Sequence, residues 1–139
     1  MKRSFPVDYK YLRADGIIEL THREPVLLSE PQDFDDYFGQ FLEYWRKMAG
    51  GQKVYALVNW GNFRINLRAS NDYARNIASL YDRVVTAIVR YNPEDPELRT
   101  TGRLTSVRLH KPAHIYGTRE EALAVIRGLR DGSVDVDSD

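Results

Sequence analysis

Two nearly unbroken apolar runs constrain this chain more than anything else in it. Val54-Tyr55-Ala56-Leu57-Val58 and Val85-Thr86-Ala87-Ile88-Val89 have strand length and strand composition, without the polar alternation of a half-wetted strand. A strand reads this way when helices cover both of its faces. Between the two runs, Tyr73, Ile77, Leu80, Tyr81 and Val84 recur at helical spacing, with Ser70 or Asn71 in position to cap the helix that carries them. Parallel neighbours in a sheet require a crossover of about a dozen residues or more, usually helical. The first run is therefore predicted as a central strand, the second as its buried neighbour, and the fold class as α/β.

The flanking segments extend that pattern. Near the N-terminus Val7, Tyr9 and Tyr11 alternate with Asp8 and Lys10, and Ile18, Leu20 and His22 alternate after Asp15-Gly16. This predicts an antiparallel hairpin turning at Asp15-Gly16. Val26-Leu27-Leu28 is a short apolar stretch before a helix. Ser29-Glu30-Pro31-Gln32 has the form of a capping box, and Phe34, Tyr37, Phe38, Phe41, Leu42, Trp45 and Met48 follow in steps of three and four until Gly50-Gly51. The stretch 97–109 fits neither period, since Leu104, Val107 and Leu109 are irregularly placed. The need for a crossover assigns it as helix. Ala113-His114-Ile115-Tyr116 then reads as a short strand, and Thr118-Arg119-Glu120-Glu121 caps a last helix bearing Ala122, Leu123, Val125, Ile126 and Leu129. The expected architecture is a mixed, mostly parallel sheet with an N-terminal antiparallel hairpin and helices packed against it. Residues 1–130 form one domain in this reading, and the acidic stretch 131–139 a disordered tail.

This arrangement resembles the SpoIIAA-like fold of anti-sigma factor antagonists and STAS domains. The residues that carry the likeness are the strands around Val54 to Trp60 and Val84 to Tyr91, and the ending His114-Ile115-Tyr116-Gly117-Thr118-Arg119-Glu120-Glu121-Ala122-Leu123. That ending is similar to the strand, turn and Glu-Glu-Ala helix of a divergent bacterial SpoIIAA-like group. The resemblance implies a cytoplasmic regulatory or protein-interaction module. STAS regulators of the partner-switching kind carry an Asp-Ser-Ser/Thr-Gly type sequence whose hydroxyl is phosphorylated. Here the corresponding region reads Asn66-Leu67-Arg68-Ala69-Ser70-Asn71-Asp72-Tyr73, with Ser70 the one nearby hydroxyl and the flanking Asp and Gly absent. A phosphate at a helix start is electrostatically favourable there, and a plain cap explains Ser70 as well.

Composition narrows the chemistry. The chain has 139 residues, 20 Lys+Arg against 20 Asp+Glu, and no Cys. Zero formal charge argues against the basic footprint of generic nucleic-acid binding, and the absence of Cys removes thiolate and Cys-ligated metal chemistry. The apolar runs are far shorter than the roughly 18 residues of a membrane span, and Met1-Lys2-Arg3-Ser4 leads into Phe5-Pro6 rather than an apolar signal core. A soluble, intracellular protein is expected, with no membrane partner. His110 and His114 have metal-ligand spacing, but Pro112 between them breaks the helix that would pair them. No segment has phosphate-loop or nucleophile-elbow spacing. No metal or cofactor is expected.

Aromatic residues and charge patches remain. Glu30, Asp33, Asp35 and Asp36 make one helix start acidic, while Arg99, Arg103, Arg108 and Lys111 make another segment basic. Opposite patches of this kind steer a protein partner or a second copy. Trp60 and Phe63 follow the carboxyl end of a central strand, where open α/β sheets place their sites, and Tyr91 ends the neighbouring strand. The expected function is a non-catalytic interaction or regulatory module, homodimeric, with Asn59, Trp60, Asn62, Phe63, Ser70, Asp72 and Tyr91 as its binding residues. The alternative is a pocket for an apolar or acyl small molecule near Trp60, Phe63 and Tyr91. A third reading, an enzyme with His114 or His110 as general base, lacks a visible partner group.

Overall fold

The computed structural model describes residues 2–132. β1 (Val7–Leu12) and β2 (Ile17–His22) form the expected antiparallel hairpin, with Val7 opposite His22 and Leu12 opposite Ile17. A single 3-10 turn, Arg13–Asp15, and Gly16 at φ 66° close it, so the glycine supplies the left-handed conformation that the turn requires. The order then runs β3 (Val26–Leu28), α1 (Pro31–Ala49), β4 (Val54–Asn59), β5 (Phe63–Ile65), α2 (Ser70–Arg83), β6 (Val85–Tyr91), α3 (Pro96–Leu109), β7 (Ile115–Tyr116) and α4 (Arg119–Asp131).

The main sheet has the order β1-β2-β4-β6-β7, with the β1–β2 pair antiparallel and every other pair parallel. Both apolar runs thus become inner strands of a mixed α/β sheet. Its two faces are covered by different helices. On one face Phe34, Phe38 and Phe41 of α1, Ile77 of α2 and Leu98 of α3 cluster with Ile18, Ala56 and Ile88. On the other, Ala122, Leu123, Ile126 and Leu129 of α4 cluster with Ile17, Leu57 and Val89. This two-sided burial explains why β4 and β6 show no polar alternation. It also explains why β2 buries Ile17 and Glu19 as well as Ile18 and Leu20.

One irregularity decides where the end of β6 points. Val54 pairs with Val85 but Tyr55 pairs with Ala87, so Thr86 is an extra residue that bulges out of register. Beyond it Ile88 faces α1 and α2, whereas Ala87, Val89 and Tyr91 face α4. Side chains alternate along a strand, so Arg90 shares the face of Ile88.

Several boundaries differ from those predicted. The α1 cap is Glu30, not Ser29: Asp33 returns to the backbone N–H groups of Ser29 and Glu30, forming the capping box one residue later, with Pro31 in the first turn. Neither Ser70 nor Asn71 caps α2. Asn66 accepts from the Arg68 N–H and caps a 3-10 turn, Leu67–Ala69, that runs directly into α2 with Ser70 already helical. β3 and β5, each too short to announce itself, pair in parallel as a separate two-stranded sheet. α3 is a helix as the crossover required, but its buried face is Leu98, Thr101, Gly102 and Thr105, while Leu104 and Val107 are exposed. A mostly small and polar inner face is the reason no helical period stood out. Thr118 caps α4 as expected, accepting from the Glu121 N–H. Asp131, predicted as the first residue of the tail, ends α4, and Gly132 caps it in the left-handed region. The rest of that tail, 133–139, lies outside the described residues. Among the described residues, no helix is long and apolar enough to cross a membrane.

Candidate functional site

The predicted binding residues fall into three separate environments. Trp60 and Phe63 are buried beneath the loop after β4, with 1% and 3% of their surface exposed, so neither offers a ring face to a protein partner. Their burial contributes stability of roughly 2 to 3 kcal/mol each, which an exposed anchor would forgo. Tyr91 is also buried, but the alternation of β6 places it on the opposite face, against α4. It does not share a pocket with Trp60 and Phe63. Ser70 and Asp72 are half-exposed at the start of α2, where Asp72 pairs with Arg75 at 2.8 Å.

The polar groups of the loop after β4 are engaged with one another and with the ends of β2 and β6. Asn59 Oδ1 accepts from the Gly61 N–H at 2.8 Å and from Asn92 Nδ2 at 3.2 Å. The Asn62 N–H donates to Glu94 at 2.8 Å, and Asn62 Nδ2 to the His22 carbonyl at 3.1 Å. Asn62 and Asn92 both have positive φ, a conformation asparagine tolerates better than most residues. These bonds lock the strand ends together.

Beneath that loop His22 lies parallel to Phe63, centroids 4.7 Å apart, and to Tyr37, 5.9 Å apart. His22 Nδ1 is 2.9 Å from the Asn59 carbonyl, which can only accept, so Nδ1 carries the proton. Nε2, 2.6 Å from the Tyr37 hydroxyl, then accepts from it. Burial holds the imidazole at a pKa of about 4, so it is neutral.

On the face of α4, Arg119 forks onto Glu19, Nε to Oε2 at 2.7 Å and an Nη to Oε1 at 2.8 Å, and the Tyr91 hydroxyl donates to Oε2 at 2.7 Å. Burial acts to raise the Glu19 carboxyl, but the Arg119 fork and the Tyr91 hydroxyl outweigh it and hold it below the usual range. Burial, with the adjacent Glu19, raises Tyr91. Every oxygen is satisfied, so this is a pin between β2, β6 and α4.

Two of the four acids of the patch at the start of α1 are engaged internally, while Glu30 and Asp35 are exposed. Asp33 caps the helix and pairs with Arg3 at 3.1 Å, and Asp36 accepts from the Arg3 backbone N–H at 3.0 Å. Among the described residues no three His, Asp or Glu side chains cluster in a way that would hold a metal.

What the fold does assemble is an apolar cavity of about 40 Å³ between the sheet and helices α1 and α2. Tyr37, Phe38, Trp60, Phe63, Tyr73 and Ile77 wall it, together with Arg90. Arg90 is 3% exposed. It donates to the Ala113 carbonyl at 2.8 Å and the Tyr73 hydroxyl at 3.1 Å, and its guanidinium carbon stands 5.3 Å from the centre of the Trp60 ring. The position of Trp60 and Phe63 after a central strand was legible in the sequence, and both line the candidate cavity. Arg90, Tyr73 and His22 were not singled out. The available signal for Arg90 was a charged residue closing the buried run Ile88-Val89.

Compared with known proteins, the chain matches no family model, no curated protein and no solved structure.

Proposed function

We propose that this chain is a binding module of regulatory type that takes a small ligand between the sheet and helices α1 and α2. The observation that carries the reading is the 40 Å³ apolar cavity walled by Phe38, Trp60 and Phe63. Packed interiors hold few voids larger than a water molecule, and an apolar void of this size lowers stability by roughly 1 kcal/mol. A ligand that fills it recovers the lost contacts. The kinship with SpoIIAA-like regulators belongs to the same proposal, supported by the antiparallel edge pair leading into a parallel sheet. Thermal melting with a panel of small apolar and amphipathic compounds tests it. A ligand at about 100 times its dissociation constant adds roughly 2.7 kcal/mol, and a panel without any shift rejects the cavity as a site.

A second reading, self-association, is favoured by the outer face of α3. Leu104 and Val107 are 51% and 75% exposed there, beside Arg103 and the edge strand β7. A dimer through this face predicts a doubled mass by light scattering at tens of micromolar, reduced to monomer by Val107→Asp. A monomeric wild-type protein rejects it.

A further inference from the structure

We propose that the depression between the C-terminal ends of α1 and α2 is a second binding site, for a soluble organic phosphate. Its phosphate lies between Arg46 and Arg83 and its apolar body rests on Trp45 and Leu80. The site is separate from the apolar cavity, since Leu80 is the only lining residue that the two spaces share.

Topology brings the two helix ends together. α1 lies between β2 and β4 in the chain and α2 between β4 and β6, and these three strands are parallel, so both helices run back the same way. Leu42, Trp45 and Arg46 share one face of α1 at steps of three and four, and Ser79, Leu80 and Arg83 share one face of α2. Between these faces opens a depression of about 460 Å³, completed by Val84 and Gly51. That volume falls within the roughly 300 to 1,000 Å³ of small-molecule sites.

The floor is apolar and fixed. Trp45, Leu80 and Val84 belong to the buried core, and the Trp45 indole N–H donates to the Gln52 carbonyl at 2.7 Å. No Asp or Glu lines the depression. Glu43 pairs with Lys2 at 3.0 Å, and Asp82, two positions after Leu80, lies about 200° round α2 from it.

The rim is cationic. Arg46 and Arg83 are exposed, and neither pairs with a carboxylate among the described residues, whereas Arg75 of α2 closes on Asp72. A cation in the last turn of a helix offsets the dipole there, which Lys47 also does on α1 without lining the depression. That role does not call for guanidiniums from two helices over one apolar floor. Two such forks match the several oxygens of a phosphate, and the Ser79 hydroxyl is a further donor. Inorganic phosphate alone would leave the floor wet, so the ligand carries an apolar body. A soluble ligand is favoured over a bilayer because the exposed large apolar residues, Leu27, Leu67, Leu104 and Val107, all lie outside the lining.

Calorimetric titration of the full chain with phenyl phosphate, phenol and inorganic phosphate separates head from body. Phenyl phosphate is expected to bind at least tenfold more tightly than either fragment, shifting the Trp45 indole N–H resonance and leaving that of Trp60 in place. Arg46→Gln and Arg83→Gln, both at exposed positions, should each weaken phenyl phosphate severalfold with little change in melting temperature. Inorganic phosphate binding as tightly as phenyl phosphate overturns the apolar half of the site, and variants that bind like the wild type overturn the arginine half. A shift of the Trp60 resonance instead moves the ligand to the central cavity, which overturns this site and leaves the cavity reading standing. Absence of phenyl phosphate binding overturns the proposal. Cosedimentation with phosphatidylcholine vesicles containing phosphatidic acid would in that case assign the face to a membrane.

Discussion

A Cβ on Gly102 of α3 would stand 2.8 Å from Cη2 of Trp60. The indole and the helix backbone are in direct contact there, and only a residue without a side chain permits it. The opposing atom belongs to a rigid buried ring, with Ile115 Cδ1 a further 3.3 Å neighbour. Gly102→Ala gains about 1 kcal/mol of helix propensity. Overpacking a rigid site costs about 1 to 3 kcal/mol, so the net expectation is destabilisation with a shifted Trp emission. Urea denaturation followed by fluorescence measures both, and a stabilised variant would mean that Trp60 moves freely.

The helix starts make a paired prediction. Thr118 caps α4 through its hydroxyl, whereas Ser70 is already inside α2 and Ala69 precedes it without a side-chain cap. Thr118→Ala should lower stability by about 1 kcal/mol and Ser70→Ala by less than about 0.5 kcal/mol. Equal losses in thermal melting would put Ser70 back in the capping role.

Arg119 neutralises a carboxylate that is otherwise enclosed. Arg119→Met should cost about 2 kcal/mol, because Glu19 would keep only the Tyr91 hydroxyl. Adding Glu19→Gln to it should recover part of that loss. A double-mutant cycle with no coupling between the two positions would contradict the pin.

His22 sets the pH response above the carboxylate range. Its folded pKa of about 4 is depressed below the unfolded value near 6.5, so the unfolded chain takes up the proton first. Stability from this group is complete above about pH 6.5 and declines as the pH falls toward 4, with a limiting slope of about 1.4 kcal/mol per unit. Glu19 and Asp33, whose folded pKa values are lowered, add their losses only at more acid pH. Urea midpoints between pH 7 and 5 should therefore fall in the wild type and fall less steeply in His22→Gln. A wild-type midpoint constant across that interval would mean that His22 takes up its proton as readily in the folded chain as in the unfolded one.

Of the fold, the inner strands, the hairpin and the long amphipathic helix were readable because each depends on a local pattern: unbroken apolarity, period two around Asp15-Gly16, and steps of three and four from Phe34 to Met48. β3 and β5 were not read as a pair, since strands of three residues carry too few positions to show a period. Trp60 and Phe63 were read as an exposed binding surface and are buried instead, because sequence position after a strand does not reveal which way a ring turns. Arg90 was missed for a related reason. Alternation along β6 is broken at Thr86, and that bulge exists only in the pairing with β4.

The order of residues alone determined that a helix-covered sheet would form, because the periodicity of burial is written locally in apolar spacing and does not depend on which elements meet. Which face each side chain occupies was decided only by tertiary pairing: the slip between Val54 and Tyr55 sends Arg90 toward the aromatic cavity and Tyr91 toward Glu19. Adjacent positions on a strand point to opposite sides, so one extra residue exchanges the faces of every position beyond it and leaves Arg90 among rings.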